Sequence, residues 1–83
     1  MKIIKVYSKM CGPCRVLENY LQAANIEHES IDIMTDGGEK FAVDNNISAV
    51  PVLLVVNDNG EVIKRHTGLL SIEDLKKFVN ETD

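Results

Sequence analysis

The chain has 83 residues, of which 45% are hydrophobic, enough to build one modest core, so we expect a single domain over residues 1–83. Its formal net charge of -4 argues against a nucleic-acid binder, because affinity for a phosphate backbone depends on clustered Lys and Arg. No apolar run is long enough to cross a membrane and no signal peptide precedes the first predicted strand, so we expect a cytoplasmic monomer with no membrane partner.

The first half of the chain predicts two strand–helix units. Residues 2–7 are rich in β-branched and aromatic side chains, and residues 13–24 repeat apolar side chains at helical spacing. Residues 31–33 alternate as a strand does. The break at Gly37 and Gly38 is followed by a short helix ending near residue 46.

The second half predicts a hairpin and a final helix. Residues 50–56 form a continuous apolar run, as expected for a strand covered on both faces, and residues 57–60 have turn chemistry before a returning strand over 61–66. Ser71 begins the last helix as its N-cap. The fold class is therefore α/β, with the order β-α-β-α-β-β-α. A helical crossover makes the first two strands parallel, which gives a four-stranded mixed sheet with three helices.

The two cysteines of the chain, Cys11 and Cys14, lie two residues apart where the first strand meets the first helix. Disulfide exchange needs one thiolate that attacks and a second thiol that resolves the mixed disulfide. A helix N-terminus favours a negative sulfur, so we assign Cys11 as the nucleophile and Cys14 as the resolving thiol. Pro13 suits the first helical turn, and Gly12 lets a partner's backbone approach closely. This spacing predicts a redox site.

Two other roles for the cysteine pair are possible. A zinc site needs further ligands at suitable spacing, but His28 and His66 are single residues in separate segments, so we expect no metal. A structural disulfide that closes so short a loop would remove little chain entropy. Both roles are less favoured than redox chemistry.

Three cations, Lys5, Lys9 and Arg15, lie close to the cysteines in sequence. They would stabilise a thiolate, or meet a carboxylate on a small thiol substrate. Lys9 and Arg15 are equally explained as solvated surface residues.

Three landmarks occur in order along the chain: CGPC at residues 11–14, AVP at 49–51 and GLLS at 68–71. Together they resemble the thioredoxin superfamily over essentially the whole chain, which implies a minimal thioredoxin-like fold. The chain begins at what resembles the active-site strand of thioredoxin, and its length is closer to that of glutaredoxin.

The resemblance assigns substrate-binding roles to Met10, Val50, Pro51 and Gly68. Pro51 resembles the cis-proline that faces the dithiol and leaves the backbone of Val50 free to pair with an extended substrate. The alternative is an ordinary trans proline at the start of a strand. Met10 stands where thioredoxins usually have Trp, so it offers a flexible apolar contact in place of an indole.

A second departure concerns proton transfer. Thioredoxins bury an Asp six residues before the first cysteine and pair it with a Lys on the next strand, whereas the matching positions here are Lys5 and Asp32. One hypothesis is a charge-swapped ion pair beneath the dithiol, in which Asp32 or a bound water deprotonates Cys14. The alternative is two oppositely charged residues at the edge of neighbouring strands.

The resemblance implies a dithiol–disulfide oxidoreductase that reduces disulfides in other proteins through Cys11 and Cys14. It implies no bound cofactor beyond the redox-active disulfide, and electrons that come from NADPH through a thioredoxin-reductase-like flavoenzyme. Ribonucleotide reductase is one candidate acceptor by family analogy.

The sequence is also compatible with two other functions. A glutaredoxin-like enzyme recharged by glutathione would use Tyr7 and Lys9, although the Gly-Gly-x-x-Asp pattern of glutaredoxins is absent where residues 68–71 stand. A non-catalytic binding module on the same fold would not need the intact cysteine pair.

Overall fold

The computed structural model describes residues 1–80 and has seven elements in the predicted order, which confirms the fold class and the mixed sheet. Within the described residues, no helix is both long and apolar enough to span a bilayer. The elements are β1 (Lys2–Tyr7), α1 (Gly12–Ala23), β2 (Glu29–Asp32), α2 (Asp36–Asp44), β3 (Val52–Val56), β4 (Val62–Thr67) and α3 (Ile72–Asn80).

The strands lie in the order β2-β1-β3-β4, with β2 and β4 at the edges. The first strand is parallel to β2 and antiparallel to β3, and β3 is antiparallel to β4. The register pairs Val6 with Val52, so the C-terminal end of β1 and the N-terminal end of β3 lie at the same end of the strands. The two loops that carry the cysteines and the proline therefore meet there.

The third strand is the centre of the hydrophobic core, and all five of its residues are buried. Alternate side chains of a strand point to opposite faces, so Val52, Leu54 and Val56 pack in one cluster while Leu53 packs in the other. The first cluster also contains Ile4 and Val6 of β1 and contacts Phe41 of α2. The second contains Leu17 and Leu21 of α1 and Leu75 of α3. The predicted coverage of this strand on both faces is confirmed.

Side-chain caps fix where two of the helices begin. The backbone N–H of Asp74 donates to the Ser71 hydroxyl at 3.1 Å, so the predicted cap of the last helix is present.

The second helix begins at Asp36, before the two glycines, and not after them as predicted. Thr35 caps it, and a Cβ on Gly38 would lie 1.7 Å from the carbonyl oxygen of Asp32. The glycine therefore permits close packing of α2 on β2 and does not break the helix.

Candidate redox site

A disulfide joins Cys11 and Cys14 at the N-terminus of α1. Cys11 is the N-cap residue in an extended conformation, and Pro13 follows within the first turn, where no intrahelical bond to its nitrogen is needed. The backbone N–H of Cys14 points at the Cys11 sulfur, with 3.1 Å between nitrogen and Sγ. Cys11 is half-buried, whereas Cys14 is only 2% exposed. Cys11 is therefore the sulfur that a partner can reach, and the helix end directs positive potential at it.

The loop before β3 faces the disulfide. The peptide bond between Val50 and Pro51 is cis, as the resemblance implied, and the Val50 carbonyl oxygen lies 3.9 Å from Cys11 Sγ. Gly68 donates its N–H to the Pro51 carbonyl at 2.8 Å and has a φ of 99°, in the region that favours glycine. Val50, Pro51 and Gly68 are thus brought to the cysteines from distant parts of the sequence.

The surface around the disulfide includes exposed apolar side chains. Met10 is 85% exposed immediately before Cys11, and Leu69 is exposed beside Gly68. Gly12 is also exposed, and a Cβ there would meet no atom within 4 Å, so a partner's backbone has open space. This arrangement gives the accessible sulfur an apolar margin.

Sequence reasoning missed Met34 as part of this margin. Met34 is exposed, and its sulfur lies 3.4 Å from the hydroxyl oxygen of Ser8, in the loop between β1 and the cysteines. Because β1 and β2 are parallel, the residues that follow the two strands lie at the same end of the sheet. The predicted parallel pairing could therefore have placed Met34 near the loop that carries the cysteines.

A buried charge network lies on the α1 side of β1. The side chain of Lys5 is 6% exposed, and its ammonium donates to the Glu18 carboxylate. The same carboxylate oxygen is 2.8 Å from His28 Nε2, and the other accepts from Gln22 Nε2 at 2.7 Å. The ammonium also lies 4.6 Å from the centre of the Tyr7 ring. Every polar group of this network therefore has a partner, as a buried charge requires.

The hypothesis of a Lys5–Asp32 ion pair is wrong, because the partner of Lys5 is Glu18. Lys5 lies opposite Ser30 in the sheet, and its side chain turns toward the helix that covers this face. The Asp32 carboxylate instead accepts the N–H of Met34 at 2.9 Å. Asp32 thus stabilises the loop after β2, and a proton-transfer role under the dithiol has no geometric support.

The network shifts the titration of Glu18. Burial raises the pKa of its carboxyl, but hydrogen bonds from Lys5, Gln22 and His28 outweigh burial and lower the pKa from 4.5 to about 2. The carboxylate is therefore ionised at any pH above the acid range.

This shift predicts a loss of stability in acid. A group whose folded-state pKa lies below its unfolded value stabilises the fold above the unfolded pKa, and that contribution disappears as pH falls through the folded pKa. Between pH 4.5 and about 2, the wild type should lose roughly 2–3 kcal/mol more than the Glu18→Gln variant. Urea unfolding at a series of pH values measures the difference, and parallel curves for the two proteins would contradict the assignment.

A cleft of about 630 Å³ opens beside Cys14, on the β2 side of the disulfide. The buried Lys5 and half-buried Glu18 line it together with the exposed Lys9 and Arg15. The resolving cysteine is thus almost fully buried, but it borders a cleft whose lining includes charged side chains.

Among residues 1–80, no group of three or more His, Cys, Asp or Glu side chains is placed to hold a metal ion. His28 is engaged with Glu18, and the ring of His66 packs edge-on against Phe78 with 6.1 Å between centroids. Within residues 1–80, neither histidine is placed to bind a metal ion together with the cysteines.

The fold and the site together define a thioredoxin-fold protein with a redox-active cysteine pair. Residues 1–81 match the family model named Thioredoxin, and the chain belongs to that family.

Relatives in sequence and structure agree with this assignment. The SPbeta prophage-derived thioredoxin-like protein YosR of Bacillus subtilis is 32% identical over 68 residues, which cover 82% of either chain. Thioredoxin of Chlamydia pneumoniae is 33% identical over 82 residues, or 95% of this chain and 79% of the relative. A mutant thioredoxin from Halobacterium salinarum superposes with a TM-score of 0.80 at 26% identity, covering 98% of this chain and 74% of that structure.

Proposed function

We propose that this protein is a small dithiol–disulfide oxidoreductase that reduces disulfides in other proteins. The observation that carries the proposal is a disulfide with one accessible sulfur at a helix N-terminus, set against the cis-proline loop. The family supports the same chemistry, since its members use a redox-active cysteine pair and need no prosthetic group.

The reduced protein acts in two exchange steps. The Cys11 thiolate attacks one sulfur of the substrate disulfide, so a mixed disulfide forms and the other substrate sulfur leaves as a thiolate that takes up a proton. Cys14 then loses its proton and attacks the Cys11 sulfur, which releases the second substrate thiol. The substrate gains two electrons and two protons, and the protein returns to the Cys11–Cys14 disulfide. The close approach of the two sulfurs makes the second step intramolecular.

The cis-proline loop supplies a place for the substrate backbone. Within residues 1–80, neither the N–H nor the carbonyl of Val50 has a backbone hydrogen-bond partner, and the carbonyl faces Cys11. An extended substrate segment would pair with Val50 and rest on Met10, Pro51 and Gly68 while its sulfur reaches Cys11. Main-chain pairing of this kind tolerates many sequences.

The oxidised pair must be recharged. We assign this step to a thioredoxin-reductase-like flavoenzyme that draws electrons from NADPH, in the cytoplasm, with the protein acting as a monomer. Ribonucleotide reductase is a candidate acceptor among disulfide-containing proteins, by analogy with the family.

Recharging by glutathione is the second candidate. The observation that favours it is the cleft beside Cys14, where Tyr7 and Lys9 both line the wall and a cation is available for a carboxylate. Tyr7 already contacts the ammonium of Lys5, which leaves less of its ring for a ligand.

Reduction of insulin separates these possibilities. The protein would be recharged either by NADPH with thioredoxin reductase, or by NADPH with glutathione and glutathione reductase, with the Cys11→Ser variant as control. Turnover with thioredoxin reductase alone is the expected result. Turnover with glutathione alone would replace the proposal by the glutaredoxin-like function, and no turnover with either would indicate a binding module.

A further inference from the structure

The cleft beside Cys14 is positively charged on a protein that is negatively charged overall. The formal net charge of the chain is -4, yet the cleft is lined by three cations and a single carboxylate. Asp32, at the end of the adjoining strand, does not line the cleft and is bound to the backbone of Met34. The local sign of charge is therefore opposite to that of the whole molecule.

The charges in the cleft fall into two groups. The ammonium of Lys5 is buried and neutralised by Glu18, so it contributes little outward field. Lys9 and Arg15 are exposed, and within residues 1–80 neither forms an ion pair. These two side chains are thus available to an anionic group that approaches from solvent.

The position of the two cations relates them to the redox reaction. Lys9 lies two residues before Cys11, and Arg15 follows Cys14 directly. A substrate whose sulfur is joined to Cys11 has the Val50 loop on one side, because the Val50 carbonyl oxygen lies 3.9 Å from Cys11 Sγ. The cleft lies beside Cys14, on the β2 side of the disulfide. Residues next to the substrate cysteine can therefore reach Lys9 and Arg15 while the backbone pairs with Val50.

We infer that the cleft makes this protein selective for disulfides flanked by acidic residues. The inference rests on the proposed reductase function and defines the substrate class that it serves. Attraction between the cleft and a carboxylate stabilises the encounter and the mixed disulfide, whereas a basic flank is repelled. The global charge of -4 acts in the opposite sense, so a preference for acidic substrates can come only from a local positive site.

Three matched peptides test the inference. They have equal length and one intramolecular disulfide, which is flanked by Glu in the first, Gln in the second and Lys in the third. The measured quantity is the second-order rate constant for reduction by the fully reduced protein, at low salt and at about 1 M salt, where the screening length is about 3 Å. We expect the Glu peptide to react about threefold to tenfold faster than the Gln peptide at low salt, and the Lys peptide to be slowest.

Charge variants then locate the effect. In the Lys9→Gln/Arg15→Gln double variant, the ratio of the Glu rate to the Lys rate should fall to one or below. Taking the ratio within each protein removes any change in thiol reactivity. The Lys76→Gln/Lys77→Gln double variant is the matched control, because it also removes two positive charges, and both lysines are exposed cations on α3 that do not line the cleft. The control should keep the wild-type ratio.

The outcomes separate the two proposals. Equal rates for the three peptides, or a ratio that Lys9→Gln/Arg15→Gln leaves unchanged, would overturn the acidic selectivity while leaving the reductase function in place. A loss of selectivity in Lys76→Gln/Lys77→Gln as large as in Lys9→Gln/Arg15→Gln would show that net charge, and not the cleft, sets the preference. Failure to reduce any of the peptides would refute the reductase function itself.

Discussion

The Cys14→Ser variant should accumulate as a covalent adduct with its substrate, whereas Cys11→Ser should reduce disulfides no faster than the uncatalysed reaction. Cys11 is the more accessible member of the pair and accepts the N–H of Cys14 at the helix end, which favours its thiolate. A serine hydroxyl at position 14 cannot displace the substrate from Cys11, so the first exchange step occurs and the second does not. Mass spectrometry under non-reducing conditions detects the adduct.

The control for this experiment is the Cys11→Ser/Cys14→Ser double variant, which should form no adduct. Treatment of the trapped species with a reducing agent should release the intact substrate in its thiol form. An adduct on Cys11→Ser and none on Cys14→Ser would contradict the assignment, since it would make Cys14 the attacking thiol.

Replacing Glu18 by Leu should destabilise the fold by roughly 3–5 kcal/mol, because the buried ammonium of Lys5 would lose its carboxylate. That loss is a large part of the total stability, which is about 4–12 kcal/mol for a chain of this length. Lys5→Met should cost much less, since Glu18 is 28% exposed and keeps its bonds from Gln22 and His28. Urea unfolding of the single variants measures both effects.

The Lys5→Met/Glu18→Leu double variant completes the cycle and should recover most of the loss seen in Glu18→Leu, because it buries no unpaired charge. The exposed Lys40–Asp44 pair on α2 provides a matched comparison, and Asp44→Asn should change the stability by less than about 0.5 kcal/mol. If Glu18→Leu cost no more than Asp44→Asn, the ammonium of Lys5 would be solvated and the network would contribute little.

The fold was predictable from the sequence because its local signals agree with one another. The apolar run at residues 50–56 identified the strand that is buried on both faces, and Ser71 marked the start of the last helix. The start of α2 was not predictable in this way. Position 38 needs a glycine because a Cβ there would collide with the carbonyl oxygen of Asp32. This is a tertiary contact, and no local sequence pattern indicates it.

The cysteine pair of the site was also predictable, since its spacing is local and its chemistry is specific. The predicted ion pair of Lys5 was wrong because it placed the partner, Asp32, on the neighbouring strand. In β1, Ile4 and Val6 point to the α2 face, so Lys5 points to the other face, which α1 covers. Glu18 lies one helical turn after Cys14 on that helix, and this spacing was the available signal.

The position of β3 at the centre of both core clusters has a consequence for motion. Opening free energies vary across a domain, and they are greatest where apolar contacts and paired neighbours are most complete. The third strand has neighbours on both sides and a core cluster on each face, whereas β2 has four residues and one neighbour. The loops that hold Cys11 and Pro51 are attached to β1 and β3, the two inner strands. Fraying of the β2 edge can therefore alter the cleft without separating the disulfide from the cis-proline loop.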